Sequence, residues 1–293
     1  MSGEQRGGNA AEPHCGDDKA AKTIAFGGPM YDEATARKML QEAGLVPAEY
    51  AEYAEGGEAV IGFDPDDAAL DNVYFVCDGT DFMGVEITPM VYFAVKGDAK
   101  MCRYLISRGA STTKSCADED GFFCPMYAAA HWDRLGICKV LYANGAQNDV
   151  RRDNPAADGW TPFHAAAFHG YDEMVRWFVL QGALCADVSS EKIEEDLISS
   201  EALRYPSLLS SCQRLVEWAK EVTQSHSALV MFLSGTLPPA PDKDQSCTLL
   251  QCLSGQPGVR KHIADFVGLE VTKAKQLRIL RNVVDVLPSF IKN

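Results

Sequence analysis

Asp158 to Ala183 reads D-G-W-T-P-F-H-A-A-A-F-H-G-Y-D-E-M-V-R-W-F-V-L-Q-G-A, and this stretch decides the fold. Gly159 permits a tight turn with positive φ. Thr161 can cap a helix, and Pro162 falls in the first helical turn, where a missing N–H costs nothing. The spacing predicts a short first helix that includes Ala165, Ala166 and Ala167, whose small side chains let a neighbouring element approach closely. Gly170 ends that helix. Met174, Val175, Phe178 and Val179 recur at i, i+1, i+4 and i+5, the apolar stripe of a second helix. Gly182 stands where a helix closes on a left-handed residue.

The same frame occurs twice upstream. Thr88-Pro89-Met90-Val91-Tyr92-Phe93-Ala94 leads to Gly97 and then Gly109-Ala110, and Cys124-Pro125-Met126-Tyr127-Ala128-Ala129-Ala130 leads to Gly145-Ala146. From each proline to the closing glycine the distance is 20 residues: 89 to 109, 125 to 145, 162 to 182. The proline-to-proline periods are 36 and 37. Thr161-Pro162-Phe163-His164-Ala165-Ala166 resembles the T-P-L-H-x-A signature of the ankyrin repeat, whose usual period is about 33 residues. The excess falls in Ser111–Gly121 and Gln147–Gly159, the places of the hairpin or finger loops in the resembled fold.

The resemblance implies an all-α fold, an ankyrin-type helical solenoid. One helix pair cannot bury its own apolar face, so stacking supplies the core and the end repeats need caps. The chain divides accordingly into a disordered tail (1–22), an acidic N-terminal cap segment (23–87), three repeats (88–184) and a helical C-terminal cap or bundle (185–293). In the family the signature histidine, here His164, ties neighbouring loops by hydrogen bonds. Val91 and Tyr127 stand in its place in the first two repeats, which implies weaker loop locking there.

Charge is distributed unevenly. Residues 1–87 hold 18 acidic and 5 basic side chains, whereas 88–184 hold 10 of each and 185–293 hold 13 and 12. The net charge of −14 argues against nucleic acid as a partner, because phosphate repels an acidic surface. Ten scattered cysteines include no C-x-x-C pair, so zinc-finger spacing is absent, and Cys102 and Cys138 fall at matching outer-helix positions as buried structural thiols. No apolar run approaches the roughly 18 residues of a membrane span, and no secretory leader is seen. The expectation is a soluble, intracellular protein of the cytoplasm, with the nucleus left open, and with no membrane partner.

Outside the repeats the signals are weaker. Asp32 to Leu45 reads as a helix, with a stripe of Ala34, Ala36, Met39, Leu40 and Ala43. Val73 to Val76 is strand-like. Two acidic clusters, His14-Cys15 with Asp17-Asp18 and Asp64 with Asp66-Asp67, lack the pattern of a metal loop. Ile193 to Leu203 has the place of a degraded fourth inner helix. Pro206-Ser207 can start a helix whose Leu208, Leu209, Cys212, Leu215, Val216, Ala219 and Val222 keep a 3.6 period. Leu249 to Leu253 reads as an apolar turn and Val259 to Val267 as a helix. Thr272 can cap a last helix with Leu277, Leu280, Val283, Val284 and Leu287 on one face and Pro288 after its end. From Gly258 onward 7 basic residues face 3 acidic ones, so a contact between this end and the acidic N-terminal third is a hypothesis.

Function follows from the resemblance. Ankyrin-like stacks bind other proteins through a concave surface of finger tips and inner helices. The surface-facing positions carried over are Val95 and Lys96 in the first repeat, His131 and Trp132 in the second, and Trp160, Phe168 and His169 in the third. Aromatic anchors of this kind suit binding hot spots. The opposed reading is that Trp132, Trp160 and Phe168 are covered by the flanking segments. An adaptor or substrate receptor, with 185–293 docking to a larger complex, is an alternative by analogy. An enzyme is a second one, but no nucleophile elbow, zinc-protease, phosphate-loop or dinucleotide motif occurs, so no catalytic residue, cofactor or metal is assigned.

Overall fold

The computed structural model describes residues 28–47, 70–76, 86–116, 124–154, 159–184, 205–234 and 274–291. The expected tail at 1–22, the acidic run around Asp64, the fourth-repeat helix at 193–203 and the segments at 249–253 and 259–267 lie outside these residues. The first helix, α1 (Glu33–Gln41), starts where the Asp32 carboxylate accepts the Thr35 N–H at 2.9 Å. It buries Ala36 and Leu40, while Ala34 faces solvent. A small antiparallel sheet follows: β1 (Leu45–Pro47), β2 (Tyr74–Val76) and β3 (Glu86–Ile87), paired in that order. Among the described residues it is the one sheet, and Tyr74, Val76 and Ile87 join the main core from it.

Three helix pairs come next: α2 (Pro89–Lys96) with α3 (Ala99–Ser107), α4 (Pro125–His131) with α5 (Leu135–Ala143), and α6 (Pro162–His169) with α7 (Asp172–Leu180). Each inner helix carries its proline at the first turn, as the frame predicts. The Thr88 hydroxyl accepts the Val91 N–H at 3.3 Å, and the Cys124 thiol accepts the Tyr127 N–H at 3.4 Å. Inner helices pack on inner helices and α3 on α5, so the pairs form a stack. Ala94, Ala128, Ala129, Ala130, Ala165, Ala166 and Ala167 are all buried at the contacts between layers. Side chains of that size set the close spacing of the inner helices.

The turns between paired helices need one left-handed residue. Gly97 and Gly170 supply it at φ 83° and 77°, and Asp133 takes the equivalent place at φ 55°. Between α5 and α6, a 3₁₀ turn (Asn148–Arg151) leads into a finger closed by the Asn154–Trp160 bridge, where the Asn154 N–H donates to the Trp160 carbonyl at 2.8 Å.

Both ends of the stack are covered. On the first repeat, Arg103 of α3 donates to the Pro29 carbonyl at 3.2 Å, the Lys100 ammonium lies 5.3 Å from the Tyr31 ring, and the Asp71 carboxylate accepts the Ser111 N–H at 2.7 Å. On the third repeat sits α8 (Pro206–Ser234), which packs against α6, α7 and the last helix, α9 (Ala274–Ile291). The Ser211 hydroxyl donates to the Ala167 carbonyl at 2.6 Å. The Arg214 guanidinium bonds both oxygens of Asp172 at 2.9 and 2.8 Å, and Arg176 lies over Trp218 at 5.3 Å. Thus α8 takes the place of a fourth inner helix without any repeat signature. Leu208, Cys212, Leu215, Ala219 and Val222 form its buried face, and Leu277, Leu280, Val283 and Leu287 that of α9. Pro288 lies inside α9 and not after its end, a correction to the sequence reading. The described N-terminal and C-terminal segments lie against opposite end repeats. The acidic run of the proposed end-to-end contact is mostly outside the described residues.

Candidate functional site

Equivalent positions of the inner helices build one face. The last two places of each inner helix, or its first turn residue, hold Val95 and Lys96, His131 and Trp132, and Phe168 and His169. Because the layers are held at alanine spacing, rings at these places reach their neighbours across layers. His131 and His169 meet edge to face, with ring centroids 4.6 Å apart. His169 also contacts Phe168 at 5.2 Å and stacks on Tyr171 at 5.4 Å. On the other side His131 contacts Trp132 at 5.6 Å and stacks on Tyr127 at 6.4 Å.

Trp160 precedes α6, yet its indole lies along the helix and reaches Phe168 at 5.3 Å, near the other end. Tyr205, the residue before α8, closes this group at 5.5 Å from both Trp160 and Phe168. The result is an unbroken aromatic ribbon from α8 across α6 to α4. On α2 the ribbon gives way to Lys96, exposed, its ammonium 5.2 Å from the Tyr92 ring.

Six of the seven residues assigned from sequence belong to this surface. His169 is exposed, and His131, Trp132, Trp160 and Phe168 are half-buried with part of each ring in solvent. Val95 is the correction: it is 5% exposed, and only its carbonyl is used, accepting the Arg134 Nε–H at 3.2 Å. Packing against the next layer covers a β-branched side chain that the frame alone leaves on the face. The sequence reading missed Tyr205, Tyr127 and Tyr171. Tyr205 had one readable signal, an aromatic residue placed directly before the helix-initiating Pro206.

Burial controls the charge of this face. It lowers the His131 imidazole to about 4, with a further push from His169, which is itself lowered by burial. Both rings are therefore neutral at pH 7. His164, beneath the face, is lowered to about 4 by burial. Its Nδ1 accepts the Thr161 N–H at 3.1 Å and lies 2.9 Å from the Thr161 hydroxyl, so it locks the start of its own helix. Tyr127, in the histidine place of the second repeat, bonds the Asn154 side chain in the next finger. In that repeat a bond to the next finger stands where His164 makes a bond within its own turn.

Arg152 ties the fingers together. Its guanidinium donates to the Thr113 carbonyl at 2.8 Å and the Ser115 hydroxyl at 2.5 Å, in the loop one repeat earlier. Asp149 supports it at 3.5 Å. A groove of about 570 Å³ runs along the turns between the paired helices, lined by Gly97, Arg134, Leu135, Gly170, Tyr171 and Glu173 among others. The thiols carry no activation: burial pushes Cys124 and Cys212 up to about 12, and raises Cys102 and Cys138 further. Among the described residues no group of three His, Cys, Asp or Glu side chains is placed to hold a metal ion, and no helix is long and apolar enough to cross a membrane.

Residues 126–179 match the family model of ankyrin repeats (many copies). No curated protein matches the chain. Stretches of this family serve in general as protein-binding modules and are typically non-catalytic. With three stacked helix pairs on a common T-P frame and this match within them, this part of the chain is built of ankyrin repeats.

Proposed function

We propose that this protein binds another protein through the inner-helix face and the adjoining fingers of its repeats, and that it does so without catalysis. The observation that carries the reading is the aromatic ribbon Tyr205–Trp160–Phe168–His169–His131–Trp132, continuous over three layers and partly open to solvent. Half-exposed Trp and Tyr rings held rigid by their neighbours lose little entropy on binding, which is why such residues dominate interface energetics. The Arg152 bridge supports the reading, since it fixes two adjacent fingers relative to each other before any partner arrives. In this reading residues 23–87 cap the first repeat, 88–184 are the binding module, and 185–293 cap the third. The cytoplasm is the proposed location.

The alternative, an adaptor that docks through 185–293, is less well supported. The buried stripes of α8 and α9 are already used against each other and against α6 and α7. The test is affinity capture with the intact chain and with Trp132→Ala and Trp160→Ala variants, each checked by thermal melting. Loss of captured protein with unchanged melting supports a binding face. A lower melting temperature with unchanged capture assigns the rings to internal packing.

A further inference from the structure

We propose that Ser115, in the finger between the first and second helix pairs, is a phosphorylation site for a kinase that reads acidic residues, and that Arg152 of the next finger receives the phosphate. The proposal is independent of which surface binds a partner. Two unrelated observations meet at this serine. The first is in the sequence: Ser115-Cys116-Ala117-Asp118-Glu119-Asp120 places carboxylates three, four and five residues after the hydroxyl. No other serine or threonine of the chain has an acidic residue at the third place after it. A kinase with a basic substrate groove selects by that carboxylate, since opposite charge steers the chain in and aligns it. The run falls within the stretch by which this repeat exceeds the usual period, so the helix frame does not need it.

The second observation is in the structure. Ser115 is half-buried, and Arg152 Nη2 donates to its hydroxyl oxygen at 2.5 Å while Nη1 donates to the Thr113 carbonyl at 2.8 Å. A guanidinium presents five donors in a planar fork, which matches phosphate oxygens better than it matches one hydroxyl. Asp149 holds the same guanidinium from its own finger, more loosely, at 3.5 Å. Lys114 is exposed next to Ser115, and Arg151 precedes Arg152 in the chain. In the reaction, Ser115 Oγ attacks the γ-phosphorus of ATP. The bond from that phosphorus to the β,γ-bridging oxygen breaks, ADP leaves with the electron pair, and the hydroxyl proton passes to the base of the kinase. The product carries about −1.5 to −2 at pH 7. It stands where a cation is already aimed, so the Arg152 bridge becomes charge-assisted and holds the two fingers more tightly.

The test treats the intact chain with casein kinase II, ATP and Mg²⁺ and locates the phosphate by peptide mass spectrometry. The expected result is a single phosphoryl group, on Ser115, and none in Ser115→Ala. Hydrogen exchange of the 113–116 and 148–154 amides is then expected to slow about tenfold in the wild-type chain and to stay unchanged in Arg152→Gln. Phosphorus NMR of the modified wild type gives a reading that needs no variant. A phosphate paired with Arg152 keeps its second charge to lower pH than free phosphoserine, which takes up a proton at about pH 6. An unmodified Ser115, or phosphate on other residues alone, overturns the site. Modification with unchanged or faster exchange, or a phosphate that titrates like free phosphoserine, overturns Arg152 as its receiver.

Discussion

In the third repeat the helix starts at Thr161, the signature histidine is His164 and the turn between helices is Gly170. In the second repeat the same three places hold Cys124, Tyr127 and Asp133. None of these exchanges disturbs the architecture. The Cys124 thiol accepts the Tyr127 N–H at 3.4 Å, close to the 3.3 Å of the Thr88 hydroxyl on Val91. Asp133 adopts the left-handed backbone at φ 55°, within reach of the 77° of Gly170. Tyr127 exchanges a lock within its own turn for a bond to the next finger. The comparison teaches that the frame fixes a backbone path and a set of roles, and that several residue types fill each role at different stability.

The comparison can be broken most strongly in the core. Phe163 and Met126 are equivalent and fully buried. Phe163→Ala is expected to cost about 4 kcal/mol and Met126→Ala about 3, the removed ring leaving the larger cavity. Urea unfolding of the two variants measures the difference.

The pH dependence of stability comes next. Burial favours the neutral His164 ring in the folded chain and lowers it to about 4, so the unfolded chain takes up the proton first, near its ordinary value of 6.5. Stability is therefore complete above about pH 6.5 and falls as pH drops toward 4, by up to about 3 kcal/mol for this group. His131 acts in the same direction with a smaller effect, being partly exposed. His164→Tyr, which installs the residue of the second repeat, is expected to flatten the slope between pH 6.5 and 4 in denaturation curves.

Tyr127→Phe keeps the ring and removes the hydroxyl from Asn154, which is 2% exposed. The expected cost is about 1 to 2 kcal/mol, with faster hydrogen exchange in the Asn148–Asn154 finger, because a buried amide loses a partner. The turn exchange is the smallest effect. Asp133→Gly is expected to stabilise by about 0.5 kcal/mol and Gly170→Asp to destabilise by about 1, since left-handed backbone is strained for a residue with a Cβ. Differential scanning calorimetry of the two variants tests the sign of each.

The repeats were legible because their information is local. A capping residue, a proline, small residues and a glycine at fixed intervals set the backbone whatever lies nearby, and the three 20-residue spacings name where each pair begins and ends. The same frame placed Lys96, His131, Trp132, Phe168 and His169 on one face, because equivalent positions in stacked layers share a side.

What the tertiary structure alone decided lies between segments distant in sequence. That Val95 is covered, that Trp160 lies down onto Phe168, that Tyr205 completes their triangle and that α8 replaces a fourth repeat each depend on contacts across 8 to 45 residues. Periodicity reports which face of a helix is apolar, but it holds no record of which other element arrives to cover it. That choice is made by shape and by the area removed from water when the layers close.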